Sequence, residues 1–243
     1  MLSSFLLFPI TMYYFSPVLI IMGAVRGIIT GSFIMFMVMF LVAIFFGRII
    51  CGWICPAGGL QEICTSVNDN RVVEKKYNKI KYLLWFPWLS VIVACVFIAG
   101  GLYTIDPFFG TKLGISIAEP SEYIIFYFFV GLIVILSITI GRRGFCHCVC
   151  WMAPFMIIGN KLGAYLRTNF IRIKGNKDRC INCKVCSSKC AMSLPVQEMV
   201  QNNSMESAEC ILCGVCVDAC PNKAISFAVG PKFGKRTESS SIS

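Results

Sequence analysis

Four long apolar runs are the feature that most constrains how this chain can fold. They extend over approximately residues 5–24, 28–46, 82–102 and 123–140. Each approaches the roughly 20 residues that an α-helix needs to cross the hydrocarbon core of a bilayer, and a helix satisfies its own backbone polar groups there. The sequence therefore predicts an all-α membrane anchor with four transmembrane helices. Pro9 and Pro17 interrupt the first run, which is either a full span or a span with a re-entrant piece.

The distribution of charge supports a membrane location and predicts an orientation. Of the 243 residues, 57% are hydrophobic and 14% are charged, whereas about 25% of an average soluble domain is charged. The 22 Lys and Arg residues lie mostly between or after the apolar runs, and such an excess marks the cytoplasmic side. We expect a multi-pass protein of a bacterial or archaeal cytoplasmic membrane, with both termini and residues 48–81 on the cytoplasmic side. The basic and aromatic residues do not alternate as in a nucleic-acid groove, so no nucleic-acid partner is predicted.

The C-terminal part carries the strongest chemical signal, a cysteine pattern that occurs twice. The spacing is Cys-x2-Cys-x2-Cys-x3-Cys, and the two copies begin at Cys180 and Cys210. In bacterial two-cluster ferredoxins, the first three cysteines of such a run hold one 4Fe–4S cube and the fourth holds the other. Paired zinc sites are the alternative, but they usually show a different spacing or include histidine. The predicted ligands are Cys180, Cys183, Cys186 and Cys220 for the first cluster and Cys190, Cys210, Cys213 and Cys216 for the second.

A second cysteine pattern lies at the ends of the second and fourth apolar runs. In each case Gly-Arg precedes Cys-x3-Cys, which gives the pairs Cys51 with Cys55 and Cys146 with Cys150. The recurrence predicts a two-fold internal repeat about an axis along the membrane normal. The two pairs could converge on a further iron–sulfur or metal centre at the membrane surface. A reversible dithiol–disulfide pair and structural cysteines in a tight turn are the alternatives, because this spacing alone is a weak signature.

Several nearby residues permit more than one interpretation. Cys148 adds a thiol inside the second pair and could replace a neighbour as ligand, whereas Cys95 lies in the middle of a run and is interpreted as a small buried hydrophobe. His147 is the only histidine. It is interpreted either as a proton acceptor or ligand, or as an ordinary surface residue. Arg48 and Arg142 could balance thiolate charge, although anchoring on the cytoplasmic side already explains them.

These observations divide the chain into four predicted parts. They are a four-span anchor over residues 1–153, an interfacial helix and linker over 154–179 that includes a short strand, an α+β two-cluster domain over 180–228, and a disordered Ser-rich tail over 229–243. Motifs for nucleotide binding, nucleophilic catalysis and c-type haem attachment are absent from the sequence. The chemistry visible in the sequence is therefore iron–sulfur chemistry.

Two resemblances follow from these motifs. Residues 180–228 look like two-cluster bacterial ferredoxins, including the run from Cys220 to Ile225. The whole chain resembles the NapH-type membrane ferredoxins and the C-terminal halves of NosR-type proteins. This resemblance rests on GRIICGWICP from Gly47 to Pro56 and on the second Cys-x3-Cys, where Trp151 replaces the usual proline.

The resemblance implies a membrane electron-transfer subunit of an oxidoreductase, similar to a quinol dehydrogenase. Such a subunit would take electrons from the quinol pool for another redox protein. Three alternatives stay open from the sequence. Electrons could run from a cytoplasmic donor into the membrane, the chain could act in metalloenzyme assembly or redox sensing as a membrane polyferredoxin, or it could be a purely structural anchor.

Overall fold

A computed structural model of the protein describes residues 5–72, 77–111, 114–117, 120, 122–166, 168 and 171–230. Its N-terminal part contains helix α1 (Phe8–Thr11), a 3₁₀ turn (Met12–Phe15), helix α2 (Pro17–Val25), strand β1 (Ile28–Thr30) and helix α3 (Gly31–Phe46). The predicted disordered tail lies, from residue 231 onward, outside the described residues.

The first apolar run forms a broken helix. Residues Phe8–Phe15 and Pro17–Val25 meet at an angle of 51°. Ser16 is extended where they join, and Pro17 starts α2 at a position where a missing N–H costs nothing. The run after it is also interrupted, because residues 28–30 form β1, which pairs in parallel with β2 (Thr104–Asp106). Helix α3 therefore has only 16 residues, or about 24 Å, against roughly 30 Å of hydrocarbon.

Two long helices are apolar enough to cross a membrane unaided. They are α6 (Tyr77–Ile98) and α7 (Glu122–Ile140). In the most apolar 18-residue stretch of each helix, only 17% and 11% of the residues, respectively, are buried inside the protein. The helices expected from the third and fourth runs are thus present. Among the described residues, the number of candidate spans is two, or three if the bent N-terminal pair forms one span. The protein is a multi-pass membrane protein.

The two Cys-x3-Cys motifs lie in similar surroundings. After α3, the chain turns at Gly47 and forms α4 (Ile49–Trp53) and α5 (Pro56–Cys64). After α7, it turns at Gly141 and forms α8 (Gly144–Cys148) and α9 (Met152–Tyr165). Both turn glycines have positive φ, a conformation that a side chain disfavours. In each half, a five-residue helix therefore follows directly on a long apolar helix.

The anchor core forms where α9 packs along α3. A Cβ added at Gly159 would lie 2.8 Å from the Phe40 carbonyl oxygen and 3.0 Å from the Ala43 Cβ. The ring of Phe155 meets those of Phe36 and Trp85 edge-on, with centroids 5.6 and 5.2 Å apart. The helix predicted near residues 154–166 is thus present, with one face buried against the anchor.

The C-terminal domain is a small α+β unit. Strands β3 (Ile171–Gly175) and β4 (Ile225–Val229) pair antiparallel, so the short strand predicted before the cysteines is present. Three short helices lie between them: α10 (Val185–Lys189), α11 (Val196–Gln201) and α12 (Val215–Asp218). Val200 of α11 is fully buried in the apolar cluster of this domain.

A buried ion network fixes this domain on the anchor. Arg48 and Lys81, which are 1% and 0% exposed, both bind the carboxylate of Glu209, at 2.9 and 2.7 Å. Burial alone would raise the pKa of Glu209, but the charges of Arg48 and Lys81 outweigh it and hold the pKa below its ordinary value. Arg142 makes a second contact between the anchor and this domain. It pairs with Asp69 of the anchor and donates to the carbonyl oxygen of Ser188 in the C-terminal domain. The domain is thus docked by charge as well as by packing.

Replacing Gly159 by alanine should destabilise the anchor, because the new methyl group would force α9 away from α3. Overpacking of this kind costs about 1–3 kcal/mol, or roughly 2–4 °C of Tm per kcal/mol in a chain of this size. Thermal unfolding in detergent measures the change. Gly131→Ala is the control, since a Cβ there meets nothing within 4 Å. An unchanged Tm for Gly159→Ala would contradict this description of the core.

Replacing Glu209 by alanine should loosen the C-terminal domain, because two buried cations lose their shared carboxylate. Breaking a buried ion pair costs about 3–5 kcal/mol, and we expect the low end since 18% of the Glu209 side chain is exposed. Hydrogen exchange of residues 205–216 measures the loosening. Glu198→Ala removes an exposed carboxylate from the same domain and should leave the exchange unchanged.

Candidate iron–sulfur site

The eight cysteines of the C-terminal domain line two separate cavities. One is lined by Cys180, Cys183, Cys186 and Cys220. The other is lined by Cys190, Cys210, Cys213 and Cys216. Each cavity therefore receives three cysteines from one loop and the fourth from the other motif.

The donor groups around these cavities fit iron–sulfur clusters. Backbone N–H groups point at sulfur, from Leu194 to Cys190 Sγ at 3.4 Å and from Ala224 to Cys220 Sγ at 3.2 Å. Such bonds stabilise a thiolate. Burial raises the pKa of the Cys216 thiol to about 12, with the neighbouring cysteines adding to the shift. Because metal binding requires thiolates, cluster insertion must release protons at this site.

The four membrane-side cysteines lie close together. Cys55, Cys146 and Cys150 are 8%, 8% and 5% exposed, and Cys51 is half-buried. Burial, together with the nearby Cys51 and Cys146, raises the pKa of Cys55 to about 12. Burial likewise raises the pKa of Cys150, with contributions from the other three thiols. The structure thus brings the two predicted pairs into one buried group, which we call the membrane thiol group.

Polar and sulfur side chains that the motif did not predict surround the membrane thiol group. Gln61 is fully buried, and its Nε2 donates to Cys146 Sγ at 3.2 Å. The Cys51 Sγ lies 3.3 Å from the Met156 Sδ. Arg143 donates to the Cys51 carbonyl oxygen and to Glu62, both at 3.2 Å. The sequence signal for this lining was Gln61, a polar residue within a largely apolar helical segment.

No group of three or more His, Cys, Asp or Glu side chains is gathered as for a single metal ion anywhere in the described parts of the chain. This applies to the membrane thiol group and equally to the eight cysteines of the C-terminal domain.

His147 is a buried residue, so its interpretation as a surface histidine is wrong. It is 2% exposed, and its Nδ1 lies 2.8 Å from Asn78 Oδ1. Because Asn78 Oδ1 also accepts from Lys81, the imidazole Nδ1 is the donor. Burial, together with the positive charge of Lys81, lowers the pKa of His147 to about 4. The ring is therefore neutral near pH 7.

The other cysteines lie on different elements. Cys148 is buried at the end of α8, Cys64 is buried at the end of α5, and Cys95 is half-buried in α6. Arg48 and Arg142 are buried as well, at 1% and 8% exposure. They pair with carboxylates, so they do more than anchor the chain on one side of the membrane.

The membrane thiol group and the second cavity of the C-terminal domain are joined by direct contact. Trp53 Nε1 donates to the carbonyl oxygen of Leu212 at 3.0 Å. A Cβ at Gly52 would lie 2.3 Å from the Ile211 carbonyl oxygen, so only glycine allows this approach. Helix α4, which carries Cys51, therefore rests on the loop between Cys210 and Cys213.

A narrow apolar cavity lies beside the membrane thiol group. Aromatic and aliphatic side chains line most of it, and Cys55 contributes to one wall. Residues of α1, the following turn, α7 and α8 enclose it, including Phe8, Phe129 and Phe145.

Two family models match the chain. A "4Fe-4S binding domain" matches residues 28–76 and 124–166, which contain both Cys-x3-Cys motifs. A "4Fe-4S dicluster domain" matches residues 179–225, which contain all eight ferredoxin cysteines. No solved structure matches this chain.

Similar proteins come from bacteria and archaea. An uncharacterized protein of Methanocaldococcus jannaschii is 25% identical over 93% of this chain and 83% of its own length. The putative electron transport protein YccM of Escherichia coli is 19% identical over 83% of this chain and 57% of its own length. The ferredoxin-type protein NapH of Haemophilus influenzae is 24% identical over 76% and 64%, respectively.

A wider group shares only part of its length with this chain. The regulatory protein NosR of Stutzerimonas stutzeri is 23% identical over 69% of this chain, which is 22% of its own length. The motifs, the two cysteine cavities, the apolar helices and these matches agree with one another. Together they support a NapH-type membrane ferredoxin related to the NosR proteins: the chain is an iron–sulfur electron-transfer protein with two 4Fe–4S clusters.

Proposed function

We propose that this protein passes electrons between the membrane quinone pool and a second redox protein, as the electron-transfer subunit of an oxidoreductase. The observation that carries the proposal is the contact of α4 with the loop from Cys210 to Cys213. This contact places the membrane thiol group directly beside one cavity of the ferredoxin domain. Iron–sulfur clusters exchange single electrons, and their potentials depend on burial and on hydrogen bonds to sulfur.

The two cavities supply the proposed ligand sets. Cys180, Cys183, Cys186 and Cys220 hold one cluster, and Cys190, Cys210, Cys213 and Cys216 hold the other. The grouping of these side chains around two cavities supports this assignment. The protein's own contribution is to position the thiolates, to donate backbone N–H groups to sulfur and to exclude water from the second set.

The membrane thiol group is proposed to hold a further iron–sulfur centre, with Cys51, Cys55, Cys146 and Cys150 as ligands. Three observations support it: all four thiols are close neighbours, Gln61 donates to one of them, and the "4Fe-4S binding domain" match includes all four. Arg48 and Arg143 lie near these sulfurs. Their positive charges would offset the negative charge of a thiolate-ligated centre in a buried site.

The proposed membrane arrangement has four spans, two in each half. The proposed anchor includes α9, which packs along α3, and the proposed two-cluster domain includes β3, which pairs with β4. The same order of elements around Gly47 and Gly141 supports a two-fold repeat. The Lys/Arg excess in residues 48–81 and after α7 supports a cytoplasmic position for the clusters.

The apolar cavity beside Cys55 is the proposed place for the quinone. Its lining of Phe8, Phe129, Phe145 and other apolar side chains matches the apolar character of a quinone. These side chains must move apart to admit the ring, because little free space lies between them. The cavity reaches the membrane thiol group through Cys55, so a bound quinone would lie close to the proposed third centre.

A role in redox sensing or metalloenzyme assembly is the second candidate function. The relatives named "regulatory protein NosR" favour it, and so does the buried membrane thiol group, which could handle a metal or a disulfide. Such a protein would affect the metal content or expression of a partner without sustained quinol turnover.

Reduced menaquinone analogue should reduce the clusters of the anaerobically purified protein. The expected result is the appearance of reduced-cluster EPR signals after quinol addition, because the quinone cavity adjoins the thiol group. Dithionite gives the full signal for comparison. Clusters that dithionite reduces but quinol never does would exclude the quinol reaction and favour a cytoplasmic electron donor or the assembly role.

Replacing Cys55 by serine should remove iron and slow electron transfer from the membrane. Two cubes contain about eight iron atoms, so the unaltered protein should contain more than this and the variant should lose the excess. Cys95→Ser is the matched control, since Cys95 lies half-buried in α6. Unchanged iron content together with unchanged quinol-driven reduction in Cys55→Ser would exclude a third centre at these cysteines.

A further inference from the structure

The two cysteine loops of the ferredoxin domain have the same spacing but opposite surroundings. Ile181 follows the first cysteine of one loop and is 60% exposed, whereas Ile211, at the equivalent position of the other, is 2% exposed. All five residues from Ile181 to Val185 are exposed, and none from Ile211 to Val215 is. One loop thus faces outward, and the other faces the anchor.

The charges of the two loops differ in the same sense. Residues 174–189 contain one acidic residue, Asp178, and five basic residues, namely Lys174, Lys177, Arg179, Lys184 and Lys189. Residues 205–218 contain three acidic residues, Glu206, Glu209 and Asp218, and no basic one. The acidic segment meets the basic anchor, where Arg48 and Lys81 bind Glu209. The basic loop from Lys177 to Val185 is left facing outward, whereas Ser188 and Lys189 lie at the anchor beside Arg142 and Asp69.

Residue choice within the loops supports this division of roles. Asn182 and Leu212 occupy equivalent positions, and both have positive φ, at 58° and 53°. Asparagine tolerates that conformation, whereas a bulky apolar residue rarely adopts it. Leu212 is 8% exposed and contacts the backbone of the anchor at Gly47. Its packing on the anchor offsets the unfavourable backbone conformation, and Asn182 has no need of such packing.

We propose that the outward loop, residues 177–185, is the docking surface for an acidic redox protein. Arg179 and Lys184 line the cavity of Cys180, Cys183, Cys186 and Cys220 together with exposed Ile181. An apolar centre with a basic rim suits a partner that carries acidic side chains around its own redox centre. The inference rests on the proposed ligand sets. One electron crosses this surface per encounter, and the two partners change oxidation state by one in opposite senses.

The order of the two cavities along the electron path follows from the same placement. The cavity of Cys190, Cys210, Cys213 and Cys216 is the inner one, since its loop lies on α4. The cavity of Cys180 is the outer one. A soluble partner therefore exchanges electrons at the outer site, and the membrane does so at the inner site.

The test uses full-length protein in nanodiscs, reduced with dithionite and freed of excess reductant. Stopped flow follows its oxidation by anionic ferric-EDTA and by cationic hexaammineruthenium(III), each of which takes one electron. Lys184→Glu should slow oxidation by the anion and speed oxidation by the cation at low salt, and Arg179→Glu/Lys184→Glu should change the ratio of the two rates by about tenfold. High salt should remove the difference.

The matched control is Lys161→Glu, an equal charge change at an exposed position on α9. A second readout is binding of an acidic flavodoxin, whose dissociation constant at low salt should rise about tenfold in the double variant and stay within twofold in Lys161→Glu. Equal effects of Lys184→Glu and Lys161→Glu, or no effect of either, would overturn the docking surface. Iron content equal to that of the unaltered protein verifies that each variant is folded. If charge reversal prevents folding, the neutral double variant Arg179→Gln/Lys184→Gln replaces Arg179→Glu/Lys184→Glu in both measurements. Purified protein without reducible clusters would instead contradict the proposed function.

Discussion

The half-buried carboxylate of Glu209, which binds two fully buried cations, is the group on which the placement of the two parts of this protein depends. It binds Arg48, which lies just after α3, and Lys81, which lies in the first turns of α6. Because Glu209 directly precedes Cys210, these bonds join two separate anchor elements to a cysteine loop of the ferredoxin domain. Desolvating three charged groups is costly unless they are paired. The arrangement is therefore stable only when the ferredoxin domain lies on the anchor in one orientation. Charge pairing of this kind contributes specificity of docking more than it contributes net stability.

That orientation determines how close the two sulfur-rich sites can come. Packing of Gly52 against the Ile211 carbonyl oxygen, and the bond from Trp53 to Leu212, bring α4 and the inner loop into backbone contact. A side chain at position 52 would separate them. Electron transfer depends steeply on distance, so a glycine that appears in the sequence only as a spacer between Cys51 and Cys55 sets the separation of the membrane thiol group from the inner cavity.

Sequence patterns predicted the features that depend on short-range spacing. They include the two cysteine loops, the apolar helices α6 and α7, and the strand before Cys180. The broken first run was also visible, because Pro9 and Pro17 are local signals. The burial of His147 was not, since its contact with Asn78 joins residues 69 positions apart. The same holds for Arg48, whose partner Glu209 is 161 positions away. Contacts between single polar residues far apart in the sequence leave no periodic pattern, so they could not be predicted from the sequence.

The two cysteine loops show how a duplicated motif can acquire two environments without changing its cysteines. Both loops need positive φ at two positions, and these are Asn182 and Lys184 in one and Leu212 and Gly214 in the other. The backbone requirement is therefore common to both loops. The residues that satisfy it differ in polarity, and that polarity matches what each loop faces, solvent for Lys184 and the anchor for Leu212. Because a cluster's potential depends on exposure and nearby dipoles, this asymmetry would give two sites with identical ligands different potentials.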